Sequence, residues 1–210
     1  MNRRRALSVA VLAAALAGSV AACSTTTADD AKPPTTSAAV PGTGTTTDIA
    51  FAQSMIPHHQ QAVDMAGLAL QSHAKASPDV RRLATRIQAA QDPEIDQMTG
   101  WLEQWQAPTV MPGVADADDL AAMDHGGHDM GAMTMSGMMT SEDMAALRQA
   151  TGAQFDAMWL QMMIAHHEGA VLMAEQVKAQ PGNPEVVTLA NQIIAAQQQE
   201  IGTMKQLLAS

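Results

Sequence analysis

Apolar residues recur every three or four positions in four segments of the chain, at 48–75, 78–104, 140–179 and 184–208. This spacing places them on one face of an α-helix, and none of the four segments alternates as a half-buried strand would. Ser77 and Pro78 suit the start of the second helix, and Thr140 with Asp143 resembles a capping box before the third. The third helix is expected to weaken near Gly152. The pattern predicts an all-α fold with four long helices.

The second and fourth helices are copies of one sequence. "SPDVRRLATRIQAAQDPEIDQMTGWL" at 77–102 aligns with "NPEVVTLANQIIAAQQQEIGTMKQLL" at 183–208, and "MIPHH" in the first helix aligns with "MIAHH" in the third. The chain is therefore predicted to be a duplicated helical hairpin. Hairpin one spans 48–105, a connection spans 106–140, and hairpin two spans 141–210, so that 48–210 forms one four-helix bundle domain.

The N-terminal residues have a different character. Three arginines precede a short apolar run, and small residues then lead to Cys23, which is typical of a bacterial lipoprotein signal at 1–23 with Cys23 lipidated. Residues 24–47 are rich in Thr, Ser and Pro and are predicted to form a disordered tether. We therefore expect export across the cytoplasmic membrane and a lipid anchor at the cell surface or periplasmic face. The net charge of −10 argues against nucleic acid as a partner.

Both copies place a histidine pair in an otherwise apolar helix. At 100° per residue, His58 and His166 lie at the centre of their apolar faces, whereas His59 and His167 lie at the edge, where an ion could enter or leave. Glu94 and Glu200 lie at the centre of the apolar face in the partner helices. Counting from each turn sets His58 opposite Glu94 and His166 opposite Glu200.

Methionines accompany each of these pairs. Met55 is expected to face Met98 one turn away, Met163 is expected to face Met204, and Met162 lies beside them. Buried His–Glu pairs with methionine as core filler would explain one copy alone, but the repetition of imidazole, carboxylate and thioether favours a metal site. Such ligands favour copper, mainly Cu(I) with silver as a mimic, while Cu(II) can use imidazole and carboxylate.

The connection between the hairpins carries further soft ligands in a glycine-rich stretch, where no helical face explains them. The candidate ligands there are Met123, His125, His128, Met130, Met133, Met135, Met138 and Met139. A segment of this composition can wrap a thiophilic ion, although a biased linker without function has the same appearance.

The repeated "MIxHH" and "QxxEIxxM" motifs make residues 47–209 resemble the bacterial domain-of-unknown-function family 305. The resemblance implies a ferritin-like four-helix bundle and, from characterised relatives, copper binding outside the cytoplasm. An extracytoplasmic copper-binding lipoprotein that sequesters copper or passes it to an envelope copper-handling protein is therefore the function expected, without enzymatic activity.

Two other functions remain open from the sequence. A ferritin-like metal oxidase would need more bridging carboxylates than Glu94 and Glu200 supply. A helical envelope module that binds a protein instead of a metal is also consistent with the pattern. The sequence does not decide whether the two His–Glu layers form one site or two, and it leaves the oligomeric state open.

Overall fold

The computed structural model describes residues 42–110, 136–180 and 182–210. Across these ranges the chain forms helices and no strands. The helices are α1 (Thr46–Leu70), α2 (Pro78–Gln104), α3 (Ser141–Gln149), α4 (Ala153–Lys178) and α5 (Pro184–Leu208). None of the described helices is long and apolar enough to cross a membrane. The all-α fold predicted from the sequence is confirmed.

Local sequence explains where the helices begin. The Ser77 side chain caps α2 ahead of Pro78, and Asn183 caps α5 ahead of Pro184. Thr140 and Asp143 form the expected capping box at α3. These side chains satisfy backbone N–H groups that the first turn leaves without partners.

Three helix boundaries differ from the sequence prediction. α1 begins at Thr46, so the last two residues of the predicted 24–47 tether are helical rather than disordered. α1 ends at Leu70 rather than near residue 75, and the Arg81 guanidinium donates hydrogen bonds to the Ala69 and Leu70 carbonyls at its end. The third predicted helix is interrupted completely rather than weakened. Gly152 has a φ of 60°, outside the helical region, and its N–H bonds to the Ala74 carbonyl at 2.8 Å.

The four long helices pack as two hairpins, α1 with α2 and α4 with α5, and α1 packs against α4 between them. This is the ferritin-like bundle of duplicated hairpins that the sequence predicts. The Trp159 indole N–H of α4 donates to the Met65 carbonyl of α1 at 2.9 Å inside the core. The buried tryptophan therefore joins the two hairpins by both packing and a hydrogen bond.

Each hairpin also caps the other. Asp48 at the start of α1 accepts a hydrogen bond from the Asn183 N–H in the α4–α5 turn at 3.0 Å. Asp156 at the start of α4 accepts from the Ser77 N–H in the α1–α2 turn at 3.1 Å. The start of α1 thus lies beside the end of α4, and the start of α4 lies beside the end of α1. The two helices therefore run antiparallel, and the two turns lie at opposite ends of the bundle.

Candidate metal centre

The two histidine pairs meet at the middle of the bundle. His58 lies at the centre of α1 and His166 at the centre of α4, so antiparallel packing brings them to the same level. Their ring centroids are 3.8 Å apart, and His166 and His167 have centroids 6.4 Å apart. His58, His59 and His167 are 0% exposed and His166 is 1% exposed. The sequence left one site or two open, and the structure brings the four imidazoles into one cluster.

The carboxylates pair with the second histidine of each doublet. His59 Nε2 lies 2.8 Å from Glu94 Oε2, and His167 Nε2 lies 2.8 Å from Glu200 Oε2. The expectation that His58 faces Glu94 and His166 faces Glu200 is therefore wrong. The expectation that His59 and His167 lie at an accessible edge is also wrong, because both rings are fully buried.

The error has a geometric cause. A helix in this bundle contacts two neighbours, so its buried arc is wider than the single apolar face used to orient it. His58 points from α1 towards α4, while His59, about 100° further round, points towards α2 and Glu94. The predicted height of the histidine pairs opposite the glutamates was correct to within one residue, but the predicted direction of each ring was wrong.

Each imidazole leaves one buried nitrogen without a hydrogen-bond partner among the described residues. These atoms are the Nδ1 of His58, His59 and His167 and the Nε2 of His166. A carboxylate only accepts hydrogen bonds, so Nε2 of His59 and His167 donates to Glu94 and Glu200, and Nδ1 is the ring nitrogen left without a partner among the described residues. An imidazole that donates from one nitrogen to a carboxylate and leaves the other nitrogen unpaired is typical of metal-binding histidines.

Burial keeps the inner rings neutral. Desolvation lowers the pKa of His58 to about 3, and the neighbouring His59 adds to the effect. Burial, followed by the proximity of His58, holds the pKa of His166 well below its ordinary value. Uncharged rings keep lone pairs free for a metal ion across the physiological pH range.

Methionines lie on both sides of this histidine layer along the bundle. Met55 and Met98 share one buried core cluster, together with Phe51 and Trp101. Met163 and Met204 share the other, and Met162 packs against it while partly buried. Each expected pair thus lies within one cluster, while the direct contact of Met55 with Met98 and of Met163 with Met204 stays a prediction. The soft thioethers are one helical turn from the His–Glu pairs.

The end of the Met/His-rich connection reaches the cluster. His58 Nε2 lies 3.1 Å from the Ser136 carbonyl oxygen, and the Gln61 side chain pairs with the Met139 backbone. Met138 and Met139 are partly buried there and line a cavity of about 280 Å³ with Pro57 and Asp64. The remaining candidates, Met123, His125, His128, Met130, Met133 and Met135, lie outside the described residues, as does Cys23.

In the described ranges, no three His, Cys, Asp or Glu side chains form a group that could hold a metal ion as they stand. Sequence reasoning also missed three contributors to the cluster, namely Ser136, Gly169 and Gln61. Ser136 acts through its backbone, which leaves no side-chain signal. Gly169, three residues after His166 in α4, was the one sequence feature that indicated a close approach of backbone to this helix.

A family model for a domain of unknown function, DUF305, matches residues 48–208. The chain belongs to the DUF305 family. Both histidine pairs and both glutamates of this DUF305 chain fall within the matched residues. No curated protein matches the chain.

Solved structures of other DUF305 proteins share the fold. A fragment from Deinococcus radiodurans is 33% identical with a TM-score of 0.65, covering 80% of this chain and 98% of that one. A protein from Streptomyces coelicolor, classed as secreted, is 32% identical with a TM-score of 0.64, covering 78% and 92%. CopM in its Cu(I)-bound form is 32% identical with a TM-score of 0.57, covering 76% and 94%. CopM has also been solved with Cu(II) and with silver.

Proposed function

We propose that this protein is an extracytoplasmic copper-binding lipoprotein whose central histidine cluster holds the ion. One observation carries the proposal: four buried imidazoles each keep a nitrogen without a hydrogen-bond partner among the described residues. An unsatisfied buried polar group is costly, and four such nitrogens in one place are best explained as ligands for a metal ion. The copper- and silver-bound structures of CopM, a relative at 32% identity, support copper as that ion.

The ligand chemistry agrees with this choice. Imidazole nitrogens from His58, His59, His166 and His167 suit both oxidation states of copper, whereas the thioethers of the two methionine layers favour Cu(I). Glu94 and Glu200 accept hydrogen bonds from His59 and His167, so they orient these rings and raise the basicity of the donor nitrogens.

The proposed ligand set mixes nitrogen with sulfur. Histidine, aspartate and glutamate alone do not form a ready group in the described ranges, so a bound ion would draw on Met55, Met98, Met163 or Met204 and on small ring rotations. The Met/His-rich connection would supply further thioethers for capture, because it leads directly into the segment that contacts His58. Lipidation at Cys23 would keep the domain at the membrane surface, where sequestration or handover to an envelope copper-handling protein takes place.

The test is a titration of the metal-free protein with Cu(I) against a chromophoric competitor. His58→Gln combined with His166→Gln should weaken binding by about tenfold or more, while His73→Gln, on an exposed histidine of the α1–α2 turn, should leave it unchanged. Full binding by the double variant would place the ion elsewhere.

A second variant separates the cluster from the connection. A chain lacking 123–135 retains the described segment from Ser136 onward, and it should still bind copper through the bundle. If it binds none, the histidine cluster is not a copper site. Oxygen uptake on adding Cu(I) or Fe(II) to the intact chain would indicate an oxidase rather than a binding protein.

A further inference from the structure

Residues 136–139, called here the strap, lie across the histidine cluster and contact one helix of each hairpin. On the α1 side, the Ser136 carbonyl oxygen is 3.1 Å from His58 Nε2. On the α4 side, the strap backbone passes directly over Ala165 and Gly169. The strap therefore contacts both helices that carry the cluster, at the level of His58 and His166.

The strap can approach α4 because two residues at the crossing lack a side chain. A Cβ atom at Gly169 would be 1.7 Å from the Ser136 oxygen, which no folded chain tolerates. Gly137 has a φ of 84°, and a Cβ there would be 2.4 Å from the Ala165 carbonyl oxygen. Any other residue at either position would push the strap away from the cluster.

A side-chain amide fixes the strap against α1. Gln61 Oε1 accepts from the Met139 N–H at 2.7 Å, and Gln61 Nε2 donates to the Met139 carbonyl at 2.8 Å. This two-point pairing copies the pattern between neighbouring strands and holds both position and direction. Gln61 lies one turn from His58, so the anchor and the contact with the ring belong to the same stretch of α1.

We infer that the strap is a positioning element of the metal centre, with the Ser136 carbonyl setting the tautomer of His58. A carbonyl oxygen only accepts, so His58 Nε2 must donate, and the neutral ring then presents an unprotonated Nδ1 to the cluster. His59 and His167 are held in the same tautomer by Glu94 and Glu200. His58 has no carboxylate partner among the described residues, and the strap supplies the acceptor that it lacks.

Only one part of the inference rests on the proposed function, namely that the strap makes metal binding tighter. The tautomer itself is a property of the metal-free protein. Removing a hydrogen-bond partner that orients a metal-binding histidine typically weakens metal affinity by about 10- to 100-fold.

The decisive variant is Gly169→Ala, which forces the Ser136 carbonyl away from His58. Gly100→Ala and Gly202→Ala are matched controls, because both glycines lie in helices and a Cβ there would meet nothing within 4 Å. Ring-nitrogen shifts from two-dimensional ¹H–¹⁵N NMR of the metal-free protein report which nitrogen of His58 carries the proton. Wild type and both controls should show a protonated Nε2, and Gly169→Ala should lose that state and bind copper about 10- to 100-fold more weakly.

Gln61→Met provides a second variant if Gly169→Ala does not fold. It leaves the crossing at Gly169 intact but removes both hydrogen bonds to Met139, so the His58 tautomer should become mixed. A wild-type His58 protonated at Nδ1, or a folded Gly169→Ala chain with unchanged tautomer and affinity, would overturn the inference. The NMR measurement tests the role of the strap even if the wild-type chain binds no copper. A failure of the proposed function can therefore be distinguished from a failure of this inference.

Discussion

Mild acid should destabilise the metal-free protein through His58. The ring is buried on all sides: His59 lies beside it on α1, His166 and His167 face it from α4, and the Ser136 carbonyl contacts its Nε2. Glu94 and Glu200 are engaged by His59 and His167 rather than by His58. Because no carboxylate among the described residues compensates a charge on this ring, burial keeps it neutral.

The size of the effect follows from proton linkage. The pKa of His58 is about 3 in the fold against 6.5 in the unfolded chain, so only the unfolded chain binds this proton between those values. Stability is therefore unaffected above pH 6.5 and falls as pH decreases towards 3. The slope approaches about 1.4 kcal/mol per pH unit, and the loss between pH 6 and pH 5 is about 1.2 kcal/mol from His58 alone. The lowered pKa of His166 adds a contribution of the same sign.

Urea unfolding in the presence of a chelator, at pH 7, 6 and 5, measures this loss. His58→Gln removes one proton site, so between pH 6 and pH 5 it should lose about 1.2 kcal/mol less than wild type. His73→Gln removes an exposed ring and should follow wild type. Equal pH dependence in wild type and His58→Gln would show that the His58 ring is solvated or charged in the fold, which refutes the buried neutral cluster.

Three further outcomes are expected. Asp48→Ala removes a buried acceptor from Asn183 and should cost about 2 kcal/mol of unfolding free energy in urea, whereas exposed Asp96→Ala should cost little; equal effects would contradict the inter-hairpin cap. Glu94→Gln should lower copper affinity about tenfold in a competition titration, and unchanged affinity would mean that this carboxylate does not orient a ligand. Replacing Met98 and Met204 together by leucine should change stability by less than about 1.5 kcal/mol per substitution while weakening the binding of Cu(I) much more than that of Cu(II); equal weakening for both ions would show that these thioethers are not ligands.

The fold follows from the sequence because its signals are local and repeated. Ser77, Pro78, Thr140 and Asp143 mark helix starts by side-chain chemistry that needs no tertiary contact, and the structure confirms each of them. The break at Gly152 was underestimated because a tertiary bond from its N–H to the Ala74 carbonyl stabilises the non-helical conformation. Helical propensity describes single residues, so it does not predict a tertiary hydrogen bond of this kind.

The site was predictable in composition and height but not in direction. Repetition identified His58, His59, Glu94 and their copies as the unusual residues. The four histidines are buried, but the expectation that both glutamates lie at the centre of a buried face is wrong, because Glu94 and Glu200 are 18% and 17% exposed. Which histidine faces Glu94 depends on how α1 is rotated between α2 and α4, and a single apolar face does not specify a rotation between two neighbours. The Ser136 contact escaped because it uses a backbone carbonyl, which any residue carries.

The position of the cluster follows from duplication combined with antiparallel packing. When two copies of a helix pack antiparallel, a residue after the midpoint of one helix lies opposite a residue before the midpoint of the other. Equivalent residues of the two copies therefore meet only at the centre. His58 and His166 are equivalent and central, and their rings touch. Met55 and Met163 are also equivalent but lie off centre, and they fall in different core clusters on opposite sides of the histidines. A duplicated helix thus forms one shared histidine layer with a methionine layer on each side, and moving the histidines one turn along both copies would split the layer into two separate halves.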